Sequence, residues 1–207
     1  MSEIGFQGNW IETNEASDVA GSIRHVIRSA DRVGQDPQEW KWVVLALHSA
    51  LQGACVCYLT GSAQPVGAVT EKNAADWLAY FDATRTNPET KRPKTQLMSL
   101  PELLKAVREP YSAGDRSNAE GVALSDSEFA WLKNFHKDIR NQFVHFAPMG
   151  WSIEVSGIPE IAKLIARAIK EIIEIGYAFR RLDPALRDSL RNNLDRLAAY
   201  DWPTGTL

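Results

Sequence analysis

The chain has 207 residues, 44% hydrophobic and 24% charged, with a formal net charge of −3. That profile excludes a disordered, collagen-like or disulfide-scaffold protein and leaves a globular chain able to bury a sizeable core. It also excludes a protein that coats nucleic acid through a general basic field, while leaving room for a local basic site.

The only cysteines, Cys55 and Cys57, lie two apart in an apolar run. On a helix such positions point away from each other, so they read as buried thiols in a reducing compartment rather than a disulfide. The amino terminus is polar and carries no signal-peptide pattern, and no apolar run reads as long enough to span a bilayer. A cytoplasmic protein without membrane contact is expected.

Residues 1–15 read as an extended lead-in, with Trp10 as a candidate anchor. Over 16–33, Val19, Ile23, Val26, Ile27 and Ala30 recur at helical spacing, with Arg24, Arg28 and Arg32 on a solvated face. Asp36, Pro37 and Glu39 form a start signal for a second helix over 40–59, which is apolar almost all round and belongs in the middle of a bundle. Within it His48 and Gln52 share a face. They read either as a hydrogen-bonded pair in the core or as residues that position a ligand.

Residues 61–96 have the character of an insertion: a loop, a short amphipathic helix over 73–84, and a basic, proline-broken run over 85–96. That run reads as a solvated loop and, secondarily, as a contact for phosphates. Ser99–Glu102 and Ser125–Glu128 have the capping-box pattern and open two further helices. Residues 151–155 alternate apolar and polar as a short extended arm does. Pro159 and Asp183-Pro184 start the last two helices, over 160–181 and 184–200. Five or six helices with almost no strand predict an all-α, up-and-down bundle.

The helix opened by Ser125 carries the residues a core has least use for, Arg140, Asn141 and His145, with His136 and Lys137 just before them. An unpaired Arg or His is costly to bury, so these side chains need partners, solvent or a task. Three cations, Lys133, Lys137 and Arg140, stand here against the single carboxylate of Asp138, so an acidic chain presents a positive patch. Arg140 and His145 lie about 140° apart around a regular helix, so they meet only across a dimer or where the helix ends or bends. The alternative is structural: Arg140 paired with Asp138 or Glu154, and His145 capping the helix end. No residues have metal-ligand spacing and no glycine-rich phosphate loop occurs, so no cofactor is expected.

Arg140-Asn141, three further residues and His145, late in a helix of an all-α chain, resemble the signature of the HEPN superfamily. The strings at 40–53 and 143–154 are also similar to an uncharacterised bacterial family. The HEPN resemblance implies a single helical domain over 1–207, with 61–96 inserted. It further implies a metal-independent endoribonuclease, often a homodimer with the site at the interface and in some cases an antitoxin-type protein partner. Carried over, His145 would handle the proton of the RNA 2′-hydroxyl, Arg140 would hold the phosphate and Asn141 would orient them. Lys137, His136, His48 and Gln52 are the candidate substrate contacts. Other members of the superfamily are non-catalytic, so a helical interaction or ligand-binding module is the second expectation.

Overall fold

Helix starts fall where the capping residues place them. In a computed structural model, described over residues 10–60, 64–145, 150, 152–175 and 177–203, α1 (Glu15–Ala30) opens on Asn14, whose side chain accepts the Ser17 N–H at 2.9 Å. α2 spans Glu39–Thr60, α3 Glu71–Thr84 and α4 Leu100–Val107. α5 starts as Asp126–Asn134 and continues through two further turns to Val144. Both capping boxes close: Glu102 accepts the Ser99 N–H at 2.7 Å, and Glu128 accepts that of Ser125 at 2.9 Å. Those hydrogen bonds hold the Glu102 and Glu128 carboxyls below the usual range. α6 is Ile158–Glu174, and α7 (Pro184–Ala198) starts from Asp183, which accepts two backbone N–H groups. Among the described residues there is no strand, only an isolated bridge between Val69 and Leu97. The protein is all-α, with seven helices among the described residues where five or six were expected.

α2 is the axis of the bundle. Val43, Val44, Leu47, Ala50, Leu51 and Leu59 are fully buried because α1, α4, α6 and α5's later turns pack around it. Burying each larger aliphatic side chain contributes about 1.5–3 kcal/mol. Contrary to expectation, this helix is by length and composition apolar enough to cross a bilayer, with a mean hydropathy of 1.6 over its central stretch. Yet 72% of that stretch is buried by the other helices, which is the surrounding a central bundle helix needs. Cys55 and Cys57 are free and buried there, and burial pushes both thiols up to about 12.

Some helix boundaries differ from the sequence reading. α6 stops at Glu174 rather than near 181, because Ile175 turns extended; the short turns that follow return Phe179 and Leu182 to the core. The tryptophans divide. Trp40 stacks on Trp202 at 5.3 Å, and Trp77 is also buried, whereas Trp42 and Trp131 are exposed. Trp10 is 94% exposed and anchors nothing. The carboxy-terminal stack is tied down by the Tyr200 hydroxyl, which donates to Asp31 at 2.7 Å. Tyr200→Phe is expected to cost about 1 kcal/mol in urea unfolding.

The run over 85–96 is more ordered than the solvated loop expected of it. α3's chief packing partner is the 3₁₀ turn Gln64–Gly67. Buried Asn73 donates to the Lys94 carbonyl and accepts the Gln96 N–H, both at 2.8 Å, while Arg92 lies over the Trp77 ring. Gly67 sits against the Leu59 carbonyl, leaving no room for a Cβ. Residues 152–155 pair with no strand, so the expected arm has no regular structure; Trp151 lies outside the described residues.

Candidate functional site

The helix that carries the motif is not a regular α-helix. Its α-helical part, Asp126–Asn134, runs into a π turn at Phe135–Arg140 and closes with one α turn, Asn141–Val144. A π turn bonds i to i+5, so every residue after it is displaced around the axis by about one residue's worth of rotation. Such turns are frequent at functional sites, and this one holds His136, Lys137 and Arg140 among the residues the sequence singles out.

Phe135, at the start of the turn, is fully buried and packs its ring 6.4 Å from that of His48 on α2. This seats the next residue, His136, on His48. The two imidazoles are near-parallel, with centroids 5.1 Å apart and 2.8 Å between His48 Nε2 and His136 Nδ1. His48 is only 4% exposed, while His136 is partly open. The partner of His48 is therefore His136 and not Gln52, which instead lines a separate cleft. Buried behind His136, His48 reaches a substrate only through that neighbour.

Arg140, one π turn further on, is half-buried and donates from Nη1 to Asn141 Oδ1 at 2.9 Å. Among the described residues it forms no ion pair. Asp138 is exposed, and the Glu154 carboxylate accepts the Ser156 N–H instead. The guanidinium acts on both imidazoles. Burial, then Arg140, then His136 hold His48 down at about 3. Burial, then Arg140 and Lys137 lower His136. Both rings are thus neutral near pH 7.

Two neutral imidazoles sharing one hydrogen bond have two arrangements. When His136 Nδ1–H donates to His48, the outer His136 Nε2 carries a lone pair and is a base. When His48 Nε2–H donates, the outer His136 Nε2 carries the proton and is a donor. His48 thereby sets which of the two His136 presents, as second imidazole partners do elsewhere. The cation beside it is free to take an anion.

His145 does not join this group within the chain. It is the exposed residue after the last turn, tied by its backbone N–H to the Asn141 carbonyl at 2.8 Å. Lys137 is exposed on the same helix. Among the described residues no group of three or more His, Cys, Asp or Glu is placed to hold a metal ion. Sequence reasoning singled out these side chains as candidates but not the His48–His136 bond, whose only trace is one histidine on an otherwise apolar central helix.

The fold and the site together define an all-α bundle with a buttressed imidazole and a guanidinium on a π turn. No known protein family, curated protein or solved structure matches the chain.

Proposed function

We propose that the chain is an HEPN-like, metal-independent endoribonuclease of the cytoplasm, working as a homodimer. The observation that carries the reading is the His48–His136 pair beside Arg140 on the π turn. It combines a neutral imidazole with a free outer nitrogen and a cation held ready by Asn141, the two groups that phosphodiester transfer needs. The all-α bundle and the position of His145 just past the helix end support the superfamily resemblance.

In this reading Arg140 holds the scissile phosphate, for which its planar fork of donors is suited. His136 Nε2 takes the proton of the 2′-hydroxyl as the 2′-oxygen bonds to phosphorus, and His136 Nδ1–H stays on His48. The P–O5′ bond breaks, and His145 delivers a proton to the departing 5′-oxygen, leaving a 2′,3′-cyclic phosphate and a 5′-hydroxyl. Phosphate on Arg140 offsets the charge that depresses His136, so the base strengthens when substrate is bound. In a two-fold dimer the His145 involved is the mate's, which removes the difficulty of its distance around the helix.

The test is single-stranded RNA incubated with the protein in excess EDTA, with the product ends analysed. Fragments ending in 2′,3′-cyclic phosphate are expected, with DNA of the same sequence left whole. His136→Ala and His145→Ala should each slow cleavage by about a hundredfold or more. Intact RNA, or cleavage at the wild-type rate by either folded variant, would refute the reading.

A further inference from the structure

A cleft of ≈ 730 Å³ opens where α1 begins, beside α2, the segment around Arg92 and the turn after α6; no residue of α5 lines it. Its volume is that of a small-molecule site. Arg92, Arg180 and Arg181 come to it from two different segments. None of the three forms an ion pair among the described residues, although ten such pairs occur elsewhere on the surface. Two are held in place by aromatic rings that also line the cleft: Arg92 lies 5.1 Å from the centre of Trp77, and Arg180 lies 5.5 Å from that of Tyr177. A stacked guanidinium keeps its donors at the edge, free for an anion, and loses less freedom on binding one.

The lining from α1 and α2 is neutral or acidic. Ser49, Gln52 and Asn14 contribute hydroxyl and amide groups. Asp18 and Glu15 also line the cleft, but both belong to the first turn of α1, where the helix dipole favours carboxylates, and Asp18 accepts the Ser49 hydroxyl at 3.0 Å. An anionic ligand therefore sits with its charge toward the arginines and its polar, uncharged body toward α1 and α2.

We infer that this cleft binds a small phosphorylated molecule bearing hydroxyl groups, a sugar phosphate in class, with the phosphate on Arg92, Arg180 and Arg181. The site is distinct from the π turn and does not depend on the ribonuclease reading. Gln52, grouped with His48 by sequence spacing, belongs to this cleft instead.

Calorimetric titration with ribose 5-phosphate tests the assignment, with ribose as the uncharged control. Ribose 5-phosphate should bind with Kd of about 1 mM or tighter and ribose should not. Arg92→Ala/Arg181→Ala removes two exposed side chains, leaves the fold intact, and should weaken binding at least about tenfold. Arg140→Ala should bind ribose 5-phosphate as the wild type does, which separates this result from the fate of RNA cleavage. Absence of binding, equal binding of ribose, or undiminished binding by the folded double variant would overturn the proposal.

Discussion

Replacing Arg140 by alanine is expected to lower RNA cleavage by about a hundredfold to a thousandfold, the range for removing one preorganised charge-stabilising donor. The side chain is half-buried and its hydrogen bond is to its sequence neighbour Asn141, so the change leaves no deeply buried charge unpaired. The same substitution carries a second expected result that a merely structural arginine would not produce. Because its charge ranks next after burial in lowering both His48 and His136, its loss should move the His136 titration upward toward the ordinary value, read by histidine NMR. Arg140→Lys keeps the charge but not the planar fork. It should hold the His136 titration near its wild-type position while recovering only part of the rate. Unchanged cleavage by folded Arg140→Ala would remove this residue from the chemistry.

Acidification from pH 7 to pH 5 should destabilise the protein by about 2 kcal/mol through His48 alone. Unfolded, this imidazole takes up its proton near its ordinary value of 6.5; folded, only near about 3. Between those values the unfolded chain holds more protons than the native one, so stability is complete above the unfolded value and is lost as pH falls through the window. The lowered His136 adds to the same slope. His48→Gln removes the titrating group while keeping an amide in reach of His136. Its urea unfolding free energy should change between pH 7 and pH 5 by about 2 kcal/mol less than that of the wild type. Parallel pH profiles for the two proteins would mean that His48 is not buried as described.

Much of the bundle was legible because the signals that start and pattern helices are local. Asn14, Ser99, Ser125 and Asp183 cap their own helices with groups three residues away or fewer. The all-round apolarity of α2 required neighbours on every side, and it has them. Helix ends were less legible. Ile175 leaves the helical conformation although the apolar spacing continues past it, and Phe179 and Leu182 return to the core beyond that break. The basic run over 85–96 has the composition of a solvated loop, and what pins it lies at or beside α3: Asn73 and Thr70 on its backbone and Trp77 under Arg92.

By itself the sequence determined that this is an all-α protein with a central helix, and that a charged, titratable cluster lies around residues 136–145. Periodicity and unmet polar groups are properties of a chain before it folds. Only the tertiary structure decided which of those residues meet. A regular helix would keep Arg140 and His145 on different sides. The π turn, together with the burial of Phe135 against α2, brings His136 onto His48, 88 residues away, and leaves His145 at the exposed end. The partner of a buried imidazole is chosen by packing between helices, and sequence spacing carries no record of that choice.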